Sequence, residues 1–204
     1  AHLPFGTTSL LPTLITDTKA QTDAAIAAVK SAISNGIAGV VGLHLEGPHL
    51  SIARKGAHDP ALIRTMQKKD CSQLCVLANE LPSLLLTIAP ESVTHTQISN
   101  LSDAGAIVSL GHTDTDYKTA RAAVASGATG VTHLFNAMSQ LGNRTPGIVG
   151  ATLDSEELFA GLIADGIHVD PAVIRIAVRA KQGNGHLFLV TDAMAPLGTD
   201  MKEF

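Results

Sequence analysis

The stretch Val40-Val-Gly-Leu-His-Leu-Glu-Gly-Pro48 decides the fold, because an apolar run ends there in a carboxylate and a Gly-Pro turn. Four later stretches also carry a polar side chain at the downstream end of an apolar run. They are Ile107-Val-Ser-Leu-Gly-His112, Val131-Thr-His-Leu-Phe-Asn-Ala-Met138, Leu162-Ile-Ala-Asp-Gly-Ile-His168 and Leu187-Phe-Leu-Val-Thr-Asp192. Because a parallel barrel gathers the carboxyl ends of its strands on one rim, the pattern predicts that five side chains converge there: Glu46, His112, His133, His168 and Asp192.

Strand-like runs alternate with helix-like runs along the whole chain. The predicted strands cover residues 7–15, 39–45, 84–89, 106–111, 130–135, 159–164 and 186–191. Most of them are continuously apolar, which is typical of parallel strands covered on both faces. The rhythm predicts an α/β fold of the (β/α)8 TIM-barrel type, with about seven strand–helix units, as a single domain over residues 1–204. A doubly wound open sheet is the rival fold, but it would concentrate function at one switch point.

Polar caps and prolines predict where the helices begin. The helix starts are Thr18 with Gln21, Thr94 with Gln97, Asp116, and Asp170 with Pro171. These are the residue types and spacings of N-caps, capping boxes and first-turn prolines. Residues 60–81 are also predicted to be helical. In the last helix, Ile174 and Val178 are predicted to face the core.

Composition bounds the partners and the compartment. The 204 residues carry 14 Lys and Arg against 18 Asp and Glu, without a basic tract, so the sequence gives nucleic-acid binding little support. Cys71 and Cys75, four residues apart, are predicted to be reduced thiols on one helical face, which favours a cytoplasmic location. No run reaches the roughly 18 apolar residues of a membrane span, and the start lacks a signal-peptide pattern.

Glu46, His112 and His133 are the candidate metal ligands. Two neutral imidazoles and a carboxylate can hold a divalent cation and leave a position for water, which is the pattern of a catalytic site. Zinc is the first candidate, and iron and manganese accept the same donors. Taken singly, each histidine could instead be a hydrogen-bonded core residue and Glu46 an ordinary loop residue.

Four other residues carry candidate roles with ordinary alternatives. Asp192 could act as general base and then general acid, or simply cap a helix. The planar fork of Arg144 suits a phosphate, with His168 as a second donor, but a loop arginine is commonly just solvated. His58, in Lys-Gly-Ala-His-Asp-Pro, is a loop imidazole whose plain alternative is a surface turn.

Together these motifs resemble the N-acetylglucosamine-6-phosphate deacetylases, a family of the amidohydrolase superfamily. The resemblance implies a (β/α)8 barrel with a small β-sandwich, of which this sequence lacks the sandwich and the first barrel strand, so that it is truncated at both ends. It also implies hydrolysis of N-acetylglucosamine 6-phosphate to glucosamine 6-phosphate and acetate. By this resemblance Glu46, His112 and His133 hold one divalent cation and its water, which attacks the acetamide. Asp192 would take the proton from that water and return it to the leaving amine.

The same resemblance implies roles for the remaining site residues. His58 would polarise the carbonyl group. Ala57, Asn136 and Ala137 would contact the sugar. Arg144 and His168 would contact the phosphate, with the arginine reaching the site from the neighbouring subunit of a homodimer. Two alternatives stay open: another amidohydrolase of the dihydroorotase or deaminase type, and a barrel that binds a sugar phosphate without catalysis.

Overall fold

The computed structural model describes residues 4, 6–194 and 200, and strands alternate with helices through this part of the chain. The strands are β1 (Thr13–Ile15), β2 (Leu43–Glu46), β3 (Leu84–Ile88), β4 (Ile107–Leu110), β5 (Gly130–Val131), β6 (Phe159–Ile163) and β7 (Leu187–Val190). The α-helices are α1 (Lys19–Ser34), α2 (Lys68–Glu80), α3 (His95–Asp103), α4 (Tyr117–Ala125), α5 (Gly147–Asp154) and α6 (Pro171–Ala180), with one-turn 3-10 helices at Ile52–Arg54 and Pro90–Ser92. All seven predicted strands are confirmed and are shorter than predicted, and β2 ends one residue later than predicted, at Glu46.

The seven strands form one parallel sheet in which each strand pairs with its neighbours in sequence. The register keeps the carboxyl ends together, since Ile15 pairs with Glu46, Glu46 with Thr87, and Ile88 with Leu110. A doubly wound sheet would reverse its strand order at a switch point, and this sheet does not. The fold is therefore a curled half-barrel, which confirms the prediction of an incomplete (β/α)8 barrel.

The predicted N-caps are confirmed at four helices, although Thr18 and Gln21 form an N-cap without the predicted reciprocal capping box. The Thr18 side chain accepts the Gln21 backbone N–H at the start of α1, and Asp116 and Asp170 cap α4 and α6 in the same way. Thr94 forms a reciprocal capping box at the start of α3. Each cap satisfies a backbone N–H that has no partner inside the helix, which is why these residue types fix the starts so well.

The helical predictions were wrong at two places. Residues 60–67 are not helical, because Arg64 and Met66 donate their backbone N–H groups to the carbonyls of Pro48 and Ser92 instead. In α6, Val178 is 59% exposed, whereas Ala177 is fully buried. Ile174 does pack against the core, in a stripe centred on Ala177.

The sequence patterns do not predict helix α5. Its N-cap position is Pro146, which has no side chain able to cap, so the usual start signal is absent. Six of its eight residues are buried, which removes the polar face that normally marks a surface helix. None of the helices in the described residues is long and apolar enough to cross a membrane.

A chain of polar side chains crosses the inside of the half-barrel. Thr13 Oγ1 lies 3.0 Å from His44 Nδ1, and His44 Nε2 lies 2.7 Å from Thr87 Oγ1. Thr132 Oγ1 then lies 2.7 Å from both Thr87 Oγ1 and Ser109 Oγ. These contacts connect β1 to β4 and the residue following β5, so the interior beneath the rim is polar but hydrogen-bonded.

Candidate active site

Glu46, His112 and His133 meet at the carboxyl ends of β2, β4 and β5. Glu46 is the last residue of β2, and each histidine lies two residues beyond its strand. The Nε2 atoms of His112 and His133 are each 3.0 Å from Glu46 Oε1 and 3.1 Å from one another. All three side chains are buried. The structure therefore brings the three predicted ligands together in a cluster that could hold a metal ion.

Three predicted site residues at strand ends share a left-handed backbone conformation, which Ala137 also adopts in a loop. His112 has a φ of +46°, His133 of +31° and Asp192 of +49°, and each lies two residues beyond the end of its strand. A side-chain-bearing residue in this left-handed region costs on the order of 1–3 kcal/mol, and such strain tends to cluster at functional sites. The same conformation recurs two residues after each of three strands. This indicates that the backbone at these strand ends orients the three side chains.

The contacts of His112 and Glu46 favour the forms of these residues that can bind a cation. His112 Nδ1 donates to the carbonyl of Arg54 at 2.8 Å, so the neutral ring has its lone pair on Nε2, inside the cluster. Burial opposes ionisation of Glu46, but its contacts with the His112 and His133 rings outweigh it and hold the pKa of Glu46 well below its usual range. The cluster therefore combines an anion with an available imidazole lone pair.

The geometry of the cluster fits a divalent cation. An ion bonded to imidazole nitrogen and carboxylate oxygen at about 2.0–2.2 Å in a tetrahedral arrangement spaces its ligands by about 3.3–3.5 Å. The observed separations of 3.0–3.1 Å are only slightly shorter. His133 Nδ1 is buried and has no hydrogen-bond partner among the described residues, so contacts at Nε2 orient this ring.

His58 lies beside the cluster as a neutral hydrogen-bond donor. Its Nδ1 accepts the backbone N–H of Thr16 at 3.2 Å and lies 2.8 Å from Thr16 Oγ1. Because a backbone N–H can only donate, the neutral ring carries its proton on Nε2. Burial and the neighbouring His112 lower the pKa of His58 to about 4. The ring centroids of His58 and His112 are 4.4 Å apart, and the surface-turn alternative for His58 is wrong because the residue is buried.

Asp192 lies at the same rim and is exposed to solvent. Burial opposes protonation of His133, but the hydrogen bond and charge of Glu46, with the charge of Asp192, raise the pKa of His133. Asp192 is therefore close enough to act electrostatically on the cluster while it stays open to solvent. Ala193 and Met194, which directly follow Asp192, are not helical, and residues 195–199 lie outside the described part of the chain.

The three candidate sugar contacts lie on two loops at this rim. Asn136 is half-buried, and its Nδ2 atom lies 3.4 Å from the carbonyls of His133 and Leu134. Ala137 has a φ of +47° and accepts the Thr113 backbone N–H. Ala57 is exposed, directly before His58. Asn136 and Ala137 therefore belong to the loop that carries His133.

The two candidate phosphate contacts are not in contact with the metal cluster. Arg144 is exposed in the loop before α5 and forms no ion pair with the described acidic residues. His168 is also exposed, and its Nδ1 lies 2.6 Å from Asp165 Oδ2. Asp165 additionally accepts the backbone N–H groups of Ile167 and His168 at 2.9 Å, which fixes the turn after β6.

Comparison with known proteins identifies the family. Residues 1–195 match the model of the family described as "Amidohydrolase family". The chain belongs to the amidohydrolase family. This family is metal-dependent, and Glu46, His112 and His133 are the described residues of the amidohydrolase chain that could hold the ion.

The relatives of this amidohydrolase act on phosphorylated amino sugars, according to their names. An N-acetylgalactosamine-6-phosphate deacetylase of Shewanella sp. (strain ANA-3) is 50% identical over 100% of this chain and 51% of its own length. An N-acetylglucosamine-6-phosphate deacetylase of Mus musculus is 44% identical over 96% of this chain and 49% of its own length. The chain spans about half the length of the curated relatives it matches.

Solved structures agree with the fold. N-acetylglucosamine-6-phosphate deacetylase from Pasteurella multocida superposes with a TM-score of 0.91 at 39% identity, covering 98% of this chain and 52% of that one. The Mycobacterium smegmatis enzyme, solved in complex with N-acetyl-D-glucosamine-6-phosphate, superposes with a TM-score of 0.82 at 35% identity, covering 95% and 50%. The half-barrel of this amidohydrolase is thus shared along nearly its full length.

Sequence reasoning missed several residues that shape the amidohydrolase site. Thr16 directly follows β1 and holds His58, and the signal that found Glu46, a polar residue ending an apolar run, would also have found it. Arg54 and Glu91 contact the turn at His112 from other loops. No sequence spacing relates them to His112, because these contacts exist only after the strands have aligned.

Proposed function

We propose that this chain catalyses hydrolysis of the acetamide of an N-acetylhexosamine 6-phosphate, giving the free amine and acetate. The observation that carries the proposal is the cluster of Glu46, His112 and His133, in which three ligand atoms lie within 3.1 Å of one another at the rim of the half-barrel. The names of the relatives supply the substrate class. Two imidazoles and a carboxylate suit amide hydrolysis assisted by a metal ion.

A divalent ion held by the three ligands would polarise the amide carbonyl and acidify water. Asp192 accepts the proton of the attacking water and returns it to the departing nitrogen, since it lies near the cluster and has access to solvent. His58 donates its Nε2–H to the carbonyl oxygen as negative charge develops there. A neutral donor suits this task, because it stabilises the oxyanion without repelling the nearby cation.

The far end of the substrate requires a binding site for the phosphate. Arg144 and His168 are the proposed contacts, and Ala57, Asn136 and Ala137 are proposed to contact the sugar ring. An exposed guanidinium without an ion-pair partner among the described acidic residues is available for a dianion. We propose that Arg144 serves the neighbouring subunit of a homodimer.

The sugar epimer has two candidates. N-acetylglucosamine 6-phosphate is the first, because it is the substrate in the names of the Mus musculus and Pasteurella multocida relatives. N-acetylgalactosamine 6-phosphate is the second, favoured by the 50% identity to the Shewanella protein. The two sugars differ at one hydroxyl, so a single polar contact can separate them by one to two orders of magnitude or more.

Zinc is the proposed ion, residues 1–204 are proposed to form one catalytic domain, and the proposed setting is the cytoplasm, without nucleic-acid partners. The two imidazoles and one carboxylate suit zinc, although the donors alone also accept iron or manganese. The free thiols of Cys71 and Cys75 fit a reducing compartment. Metal analysis of the purified protein identifies the ion.

The test is acetate release by the intact protein. We expect turnover of at least one of the two 6-phosphorylated sugars. Chelation of the metal should abolish this turnover, and added zinc should restore it. Unphosphorylated N-acetylglucosamine is the matched substrate, and we expect it to react far more slowly. Binding of the sugar phosphate by the metal-loaded protein without any acetate release would favour the non-catalytic alternative.

A further inference from the structure

We propose that Arg54, Glu91 and Asp114 form a clasp that holds His112 in its metal-binding orientation. None of the three belongs to the metal cluster, so they are positioning residues. The inference rests on the metal site of the proposed function but is independent of its substrate. The clasp joins three loops at the rim, those that follow β2, β3 and β4.

The backbone at His112 needs support because its φ of +46° is unfavourable for a residue with a side chain. Two contacts come from the loop after β2. His112 Nδ1 donates to the Arg54 carbonyl at 2.8 Å, and the His112 carbonyl accepts the Ser51 backbone N–H at 2.9 Å. The first contact decides the tautomer: if that loop moves away, the ring can place its proton on Nε2, where the cation should bind.

Glu91 grips the two residues that follow His112. Its Oε2 atom accepts the hydroxyl of Thr113 at 2.5 Å, and its Oε1 atom accepts the backbone N–H of Asp114 at 2.8 Å. Thr113 is fully buried, so its hydroxyl depends on protein partners. A charged acceptor makes both hydrogen bonds stronger than neutral ones. Glu91 therefore fixes the two residues that follow His112, whereas Ser51 and Arg54 contact His112 itself.

The Arg54–Asp114 ion pair closes the clasp. Arg54 Nε donates to Asp114 Oδ1 at 2.8 Å, which connects the 3-10 helix Ile52–Arg54 to the turn after His112. An exposed pair such as this contributes little stability by itself. The pair nevertheless matters for the position of this loop. Ile52 is 62% exposed, so little apolar burial holds the loop in place. The same loop brings Gly56 against the His112 ring: a Cβ there would lie 3.1 Å from Cε1.

The clasp predicts that metal affinity depends on charges that do not touch the metal. Partners that orient a ligating histidine typically contribute 10–100-fold to metal affinity. We therefore expect Glu91→Gln to weaken binding about 10-fold, because the amide nitrogen replaces one acceptor. Asp114→Asn and Arg54→Gln should each weaken it by a few-fold, in line with the loss of one ion pair. The Arg54 carbonyl survives these substitutions, so they test the clasp and not the backbone hydrogen bond.

The experiment is Co²⁺ titration of the metal-free intact protein, followed by its visible absorption. The matched control is Glu80→Gln, which breaks the exposed Lys30–Glu80 ion pair at the end of α2, away from the carboxyl-end rim. A double variant, Arg54→Gln with Asp114→Asn, should bind no more weakly than either single variant, because both remove the same interaction. Urea unfolding of each metal-free variant reports general loss of stability.

Weaker Co²⁺ binding by the clasp variants, with the control unchanged, would support the proposal. Unchanged affinity in Asp114→Asn and Arg54→Gln would overturn it, as would equal weakening by Glu80→Gln. If Glu91→Gln does not fold, the ion-pair variants decide the question by themselves. Co²⁺ binding by a protein that releases no acetate would count against the proposed function and leave the clasp standing.

Discussion

The residues at the rim differ in their charge states. Glu46 stays ionised because its contacts with two imidazole rings lower its pKa, while His58 stays neutral because burial lowers its pKa to about 4. The cluster thus contains one carboxylate anion beside imidazole nitrogens that can coordinate a cation. Asp192 is solvent-exposed at the same rim, and its charge acts on His133.

Replacing Asp192 by Asn should remove catalysis and preserve metal binding. Loss of a general acid–base group lowers the rate by about 10²–10⁴-fold. Asn keeps the size of the side chain, so the cluster should still bind zinc. Acetate release and metal content, measured on the same sample, check this. Asp103→Asn, an exposed carboxylate at the end of α3, is the control. Undiminished turnover in Asp192→Asn would eliminate Asp192 as the base.

Gly47 should tolerate no side chain, for a reason beyond its backbone angle. Its φ is +88°, and a Cβ there would overlap Thr16 Oγ1, the hydroxyl beside His58. Gly105 has nearly the same φ, +91°, but open space around the Cβ position. Gly105→Ala therefore measures the backbone strain alone, on the order of 1–3 kcal/mol.

We expect Gly47→Ala to lose more stability than Gly105→Ala and also to lower turnover, since Thr16 must move. Urea unfolding and acetate release separate the two effects. Equal losses of stability with normal turnover in both variants would show that the Thr16 contact is dispensable.

At the scale of elements, the start of α2 depends on one carboxylate. Asp70 pairs with both terminal nitrogens of Arg64, at 2.5 and 2.9 Å, and accepts the Gln67 backbone N–H at 2.8 Å. These contacts, led by Arg64, lower the pKa of Asp70 to about 2. A lowered pKa means that the stabilisation is complete above the ordinary value of about 3.9 and disappears as the pH falls toward 2.

Asp70→Asn should therefore destabilise the protein by roughly 0.5–2 kcal/mol at pH 7, the range of a lost cap. The difference from the unsubstituted protein should shrink as the pH falls from 4 to 2, because Asp70 becomes protonated there. Urea unfolding at pH 7, 5 and 3 measures it. A difference that grows on acidification would contradict the assignment of the ion pair.

The elements also show how far sequence can predict this fold. The strands and the capped helices α1, α3, α4 and α6 follow from local rules, since apolar runs and N-caps act over a few residues. Helix α5 does not, because its burial comes from tertiary packing and its cap position is a proline. Residues 60–67 fail for a similar reason: Arg64 and Met66 bond to distant loops, which no local pattern reveals.

For the candidate site, sequence predicts the ligands better than their supports. Glu46, His112 and His133 are predictable because parallel strands bring their carboxyl ends together. The clasp residues Arg54 and Glu91 are not, because their contacts depend on how three loops close over the rim. Arg144 and His168 stay predictions, since no contact in the described residues connects them with the metal cluster.

At the scale of the whole molecule, the half-barrel leaves β1 and β7 at the two ends of the described sheet. β7 exposes apolar side chains, with Phe188 50% and Leu189 76% exposed. The chain spans about half the length of the relatives, and their activities are those of the longer proteins. The metal cluster depends on β2, β4 and β5, in the interior of the sheet and away from both ends.

Arg144 offers a test of the proposed phosphate contact and of the proposed homodimer. We expect Arg144→Ala to raise the KM for a 6-phosphorylated sugar by about 10–100-fold, the value of a charged hydrogen bond of 1.5–3 kcal/mol, and to leave the unphosphorylated sugar nearly unaffected. Arg121→Ala, an exposed arginine on α4, is the control. Equal effects on both sugars would reject the phosphate role.

Mixing then tests the homodimer. Arg144→Ala and Asp192→Asn subunits are each impaired, but a mixed dimer contains one site with both residues intact if Arg144 acts across the interface. Activity on the phosphorylated sugar should therefore reappear after the two variants are unfolded and refolded together. If the arginine serves its own subunit, every site lacks one of the two residues and mixing restores nothing. The outcome thus distinguishes a shared site from two independent ones with the same pair of proteins.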